Sequence, residues 1–109
     1  MSPIRQGEVY WIDFGAERHP CVVVQSDAFN LSAIATTVVC LITSNVSRAA
    51  APGNVSLRKG DAHLAKPSVV NVSQILTVDK NELVEKIGKL PGASIDAIRT
   101  GLALLFDRI

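Results

Sequence analysis

The side chains of this chain that could do chemistry gather in three short words. Glu17, Arg18 and His19 precede Pro20, Thr43 and Ser44 close "LITS", and Asn71, Ser73 and Gln74 fall in "VVNVSQIL". Imidazole ordinarily titrates near neutrality and can carry a proton either way. Guanidinium holds anionic charge, while hydroxyls and amides donate to charge that develops during a reaction. Together they form a set of polar groups at strand ends, where a sheet hands side chains to a surface pocket. Taken singly, each also has a plain structural reading, His19 as a surface residue at a strand start and Thr43 as an ordinary β-branched strand residue.

Other chemistries find less support. His19 and Cys21 lie two apart on one strand face, about 7 Å between Cα atoms, but a cysteine followed by "VVV" is expected to be packed and protonated rather than nucleophilic. A metal site from His19, Cys21, Cys40 and His63 would need a long-range coincidence, because no zinc-type spacing is present. P-loop, GxGxxG, HExxH and GxSxG words are also missing. Neither a metal nor a cofactor is expected, and Cys21 and Cys40, both in apolar runs, are expected to be buried reduced thiols.

The elements that must position these groups are legible from pattern. "GEVYWIDF" (7–14) is a strand with Val9, Trp11 and Asp13 on one face and Tyr10, Ile12 and Phe14 on the other. After the connection "GAER", "HPCVVVQS" reads as a central strand covered on both faces. Ser26 is set to cap a short helical turn, and "TTVVCLITS" (36–44) is a third strand that leaves Thr43 and Ser44 at its end. The stretch 45–67 is the least periodic, broken by Pro52-Gly53, Gly60-Asp61 and Pro67, with "NVSL" as a short strand inside a mobile loop region.

"SVVNVSQILTVD" follows as a long strand, with Val70, Val72, Leu76 and Val78 toward the core and Asn71, Ser73 and Thr77 on the opposite, groove-lining face. Asp79 and Glu82 have capping-box spacing, and "LVEKIGKL" is ambiguous. Ser94 is the expected cap of a terminal amphipathic helix with Ile95, Ile98, Leu102, Leu105 and Ile109 at helical spacing. Strands followed by a helix indicate an α+β class, with a small barrel-like sheet and the C-terminal helix packed on it.

Length and composition bound the rest. One domain spanning 1–109 is expected from 109 residues. A hydrophobic fraction of 48% and a charged fraction of 19% suit a globular protein. The net charge of +1 gives no global pull toward polyanions, so an anion site must be local, and 44–70 carries four cations (Arg48, Arg58, Lys59, Lys66) against Asp61 alone. Without a leader-like start or an apolar run of membrane-spanning length, a cytoplasmic location is expected.

The order of the words is more specific than any one of them. "RQGEVYWIDFG", "HPCVVVQSDAFN", "VVCLITSN", "PGNVSL" and "SVVNVSQILTVDKNELVEKIGKL", followed by an amphipathic helix, together resemble the MazF/PemK family of toxin endoribonucleases over nearly the whole chain. The resemblance implies an SH3-like β-barrel with a terminal helix, makes "LVEKIGKL" a strand, and implies a homodimer whose groove takes single-stranded RNA. It further implies an mRNA interferase of a type II toxin–antitoxin system, metal-independent and sequence-specific, which cuts through attack of the RNA's own 2′-hydroxyl. A cognate antitoxin, a small acidic protein, would neutralise it.

The family supplies a Thr or Ser at the end of the third strand, which Thr43 matches, and an Arg immediately before the proline of the second, where this chain has His19 with Arg18 one residue earlier. A one-residue shift turns a side chain to the other face. The resemblance therefore implies a divided role, His19 for proton transfer and Arg18 for phosphate charge, with Thr43 donating to the scissile phosphate. Glu17 stands in for the acid of the family's longer Gly-x-Glu-Gln loop, and Ser44, Asn71, Ser73 and Gln74 join Arg18 and Glu17 as RNA-binding residues. Asn71 and Ser73 occupy positions where some members place Arg and Asp, and are poor proton donors. The alternative is an inactive barrel of the same fold that acts by binding, as an antitoxin or RNA regulator or a gyrase poison. Gyrase-poison relatives end in a Trp-Gly-Ile type tail, whereas this chain ends "FDRI" and its sole tryptophan is Trp11. An unrelated β-barrel binding module is a further alternative.

Overall fold

The computed structural model describes residues 3–108. Six strands form one antiparallel sheet: β1 (Glu8–Phe14), β2 (Glu17–Val23), β3 (Thr36–Thr43), β4 (Val55–Leu57), β5 (Ser68–Asp79) and β6 (Lys86–Lys89). Its order is β4-β5-β3-β2-β1-β6, with β2 and β3 central as their apolar runs require. A short helix α1 (Asp27–Asn30) precedes β3, and α2 (Gly92–Leu105) closes the described chain.

The first connection is tighter than the sequence suggests. Phe14 pairs with Glu17, so only Gly15 and Ala16 form the turn, and Glu17 and Arg18 are ladder residues rather than loop. Gly15 takes φ +67°, as the first central residue of a type II′ hairpin turn requires. Two caps also differ from expectation. Ser26 stands at the N-cap of α1 but its hydroxyl makes no cap bond; Asp27 Oδ1 accepts from the Gln6 N–H instead, at 2.7 Å. The final helix starts at Gly92 after Pro91, so Ser94 lies within its first turn. Of its expected apolar face, Ile98 is buried, Ile95 and Leu102 pack against the core, Leu105 is exposed, and Ile109 lies outside the described residues.

A larger correction concerns β5. Cys40 pairs with Ile75 and Ile42 with Val70, so two steps along β3 are matched by five along β5. The three extra residues form a bulge, and an odd insertion reverses the side-chain alternation beyond it. Val70 and Val72 therefore join one core, with Val9, Val22, Cys40, Ile42 and Ile98, whereas Val78 and Leu76 join the opposite one, with Tyr10, Ile12, Cys21, Val39 and Leu41. Residues 70, 72, 76 and 78 do not share a face.

The sheet curls toward a barrel. Its edges β4 and β6 do not pair, and the 3₁₀ turn Asp61–His63 spans between them. His63 Nδ1 lies 3.0 Å from the Ile87 carbonyl, and Ala62 packs so closely over Gly88 that a Cβ there would come within 2.6 Å of the Ala62 oxygen. The loop region has its own framework too. Asn45 caps a 3₁₀ segment, Val46–Ala50, by accepting from Ser47 N–H, and Asn54 ties that segment to β5.

Cys21 and Cys40 are both free and buried, on opposite faces of adjacent strands. Burial pushes their thiols up to about 12 and about 11, so both stay protonated and unreactive. Glu8 is the main buried charge. Burial raises its carboxyl, but hydrogen bonds from Lys86 Nζ, the Arg5 N–H and the Tyr10 hydroxyl outweigh that and hold it below its ordinary value of 4.5. The bond to Lys86 staples β1 to the edge strand β6.

Two outcomes follow from this packing. Gly101→Ala gains about 1 kcal/mol of helix propensity, but its Cβ would stand 2.1 Å from the Gly53 carbonyl oxygen. Overpacking costs typically about 1–3 kcal/mol, so the variant should melt below the wild type; a higher melting temperature would show that α2 can move away from the 53 loop. Because folding lowers the Glu8 pKa, its stabilisation is complete above about 4.5 and is lost as pH falls through the folded value. Urea midpoints should therefore drop more steeply on acidification in wild type than in Glu8→Gln, and parallel curves would refute that role.

Candidate active site

The site forms where a ladder stops. β2 and β3 pair from Val23↔Val39 to Cys21↔Leu41 and no further, and continuing that register sets His19 opposite Thr43. Past that point two open clefts, of about 400 and about 410 Å³, meet along His19, Ile42 and Thr43. Strand alternation puts Phe14, His19, Thr43 and Asn71 on the face turned away from α2, so the first cleft continues the second core outward.

Each candidate is held by local geometry. Thr43 Oγ1 accepts from the Asn45 N–H at 3.1 Å, which leaves the hydroxyl proton free to donate into the groove. The His19 ring, about one-third exposed, stands edge-on to Phe14 with centroids 6.2 Å apart. Its Nε2 lies 4.0 Å from Glu17 Oε2 on the same strand face. Glu17 thus lies beside the imidazole, and the short hairpin brings it there without a loop.

Arg18 points the other way. Its guanidinium stacks on Trp11 at 4.4 Å and pairs with Glu85, and it lines only the second cleft, beside Glu17, Ser44 and Lys66. The cation in the first cleft is Arg48, carried over it by the 3₁₀ segment that Asn45 caps. Among the described residues Arg48 makes no ion pair. Asn71, Ser73 and Gln74 line this cleft because the β5 bulge lifts them out of the ladder.

The structure therefore gathers Glu17, Arg18, His19, Thr43 and Ser44 around one cleft, and His19, Thr43, Asn71, Ser73 and Gln74 around the other. The sequence did not single out Phe14, Asn45 or Asn54, and it placed Arg48 only within the basic segment 44–70. Phe14 carried a usable signal, an aromatic at a hairpin end that the structure leaves 45% exposed. Arg48 and Asn54 carried little, because their aperiodic segment gives no hint of which side chains turn inward.

The comparisons agree with this architecture. The chain belongs to the family described as PemK-like, MazF-like toxin of type II toxin-antitoxin system, whose model matches residues 5–106. Endoribonuclease MazF6 of Mycobacterium tuberculosis is 39% identical over 111 residues, covering 95% of this chain and 97% of that protein. Endoribonuclease MazF of Staphylococcus saprophyticus is 32% identical over 106 residues, covering 91% and 88%. A mycobacterial endoribonuclease solved in complex with its cognate antitoxin superposes with a TM-score of 0.81 at 29% identity, covering 99% of this chain and all of that one. The α+β fold with a curled sheet and C-terminal helix is thus the family's own. Among the described residues, no helix is long and apolar enough to cross a membrane.

Proposed function

We propose that this chain is the endoribonuclease toxin of a type II toxin–antitoxin pair and that it cuts single-stranded RNA in the groove shared by His19 and Thr43. The convergence of those two residues at the junction of the clefts, in a chain of this family, carries the proposal. RNA brings its own nucleophile. A proton leaves the 2′-hydroxyl, the oxygen attacks the adjacent phosphorus, and the 5′-oxygen departs with a proton, leaving a 2′,3′-cyclic phosphate and a 5′-hydroxyl. The protein must supply proton transfer and charge stabilisation, and no metal step is needed.

His19 is assigned the proton transfer, with the Glu17 carboxylate 4.0 Å from its Nε2. Thr43 donates its free hydroxyl proton to a phosphate oxygen. Arg48 supplies phosphate charge in the first cleft, and Arg18 with Lys66 guides the strand through the second. Phe14 offers an exposed ring on which a base can stack, worth about 1–3 kcal/mol. The inactive-binder and gyrase-poison alternatives receive no support from relatives that carry the name endoribonuclease.

The protein partner is a cognate antitoxin, as in the solved mycobacterial complex, and its acidity would answer the basic 44–70 segment. Work as a homodimer in the cytoplasm completes the proposal. Phe29, Leu31 and Ile34 before β3, and Leu104, Leu105 and Phe106 around the end of α2, leave apolar surface for a protein partner to cover.

Incubation of the wild type with a long RNA in EDTA should yield cuts that deoxyribose at the scissile position abolishes. His19→Ala should lower kcat by about 10²–10⁴-fold, and Thr43→Ala by about 10²–10³-fold. Full activity in both variants would remove the residue assignment while leaving family membership intact. Arg48→Ala should weaken binding of a deoxy-blocked RNA and flatten log K against log salt by about 0.7. An unchanged slope would mean that Arg48 touches no phosphate.

A further inference from the structure

A directional chain of amides floors the first cleft. The Val72 N–H donates to Asn54 Oδ1 at 3.0 Å, and Asn54 Nδ2 donates to the Arg48 carbonyl at 2.9 Å and to Asn71 Oδ1 at 2.8 Å. Asn71 Nδ2 in turn donates to Gln74 Oε1 at 2.8 Å. A side-chain amide can ordinarily be turned over, exchanging its donor and acceptor ends. Here it cannot, because the backbone N–H of Val72 is only a donor and must meet an oxygen. That choice fixes Asn54, which fixes Asn71, which fixes Gln74. Gln74 Nε2, without a partner among the described residues, is left as the donor on the cleft side.

We infer that Asn54 is a specificity-positioning residue: through Asn71 it sets Gln74 to read the keto oxygen of a uracil or guanine next to the scissile phosphate. It rests on the RNA-cleaving function proposed above. Bases divide at the exocyclic position into keto (O4 or O6, acceptor) and amino (N4 or N6, donor). A fixed N–H donor favours the keto class, and a bound adenine or cytosine would set donor against donor. Asn71 is nearly buried and lies inside the β5 bulge, so the middle link of the chain is shielded from water while Gln74 is exposed at the cleft.

Reversing the chain should reverse the reading. In Asn54→Asp the carboxylate accepts from Val72 with one oxygen and offers a second acceptor to Asn71. Asn71 must then turn over, Gln74 follows, and Oε1 faces the cleft. Asn71→Asp reaches the same end by another link while keeping the Asn54 bond to Arg48. Either added charge weakens RNA binding for every base alike, so the ratio between bases is the measurement.

Cut sites of the wild type in a long RNA are mapped first, in EDTA. Absence of any cut would overturn the proposed function itself, whereas cuts without a keto preference at any position beside the scissile bond would overturn this inference alone. Deoxy-blocked oligonucleotides carrying U or G, or A or C, at that position are then titrated by fluorescence anisotropy, which needs no activity from the variants. The wild type should prefer the keto bases by about 10-fold, and both variants should prefer the amino bases. Retained keto preference in either variant, or loss of discrimination in either, refutes the chain of amides as the reader.

Discussion

Three residues of β5 that have no counterpart on β3 shape most of what this molecule does. Between Ile75 opposite Cys40 and Val70 opposite Ile42, the longer strand must bow outward, and an odd surplus reverses which side chains face which layer. One β-strand can therefore serve two cores, Val70 and Val72 beneath α2 and Leu76 and Val78 on the far side. Such bulges sharpen local twist, which suits a six-stranded sheet that curls toward a barrel. The same surplus frees Asn71, Ser73 and Gln74 from the ladder and turns them into the floor of a cleft.

Around that bow, contact at backbone distance holds the frame. Gly53 and Gly101 bring the loop onto α2 with no space for a side chain, and Ala62 over Gly88 bridges the unpaired edges. Glu8, Lys86 and Tyr10 bind the other end of the sheet through one carboxylate. Burial and the Glu8 charge hold the Tyr10 phenol above its ordinary range, so it stays a donor. These restraints leave the surface between β2 and β3 free to open, and the Gly53 contact anchors the segment that carries Ala51 and Asn54 into the first cleft.

The family resemblance implies an arginine where this chain has His19, and the fold gives His19 and Arg18 different surroundings. His19 faces the cleft with Phe14 and Glu17, while Arg18 is turned to the opposite face and occupied by Trp11 and Glu85. Strand alternation forbids the two from sharing a position. A cation still reaches the first cleft, from Arg48 on a separate segment. In the proposed reading, proton transfer and phosphate charge come from two elements, His19 on β2 and Arg48 on its 3₁₀ segment.

Periodicity and turn residues were enough to determine the α+β class, five of the strands, the terminal helix and the buried thiols, while the order of short words added the sixth strand and the family. Those properties follow from local pattern, since alternation and apolar spacing are written within a few residues of each strand. The tight hairpin that makes Glu17 and Arg18 ladder residues, the earlier start of α2 and the switch of faces within β5 depended on how strands register against one another. Arg48, Asn54 and the direction of the amide chain to Gln74 were decided only in three dimensions. Their partners lie far apart along the chain, on a segment without period, and only the closed fold settles which hydrogen-bonding end of each amide is free.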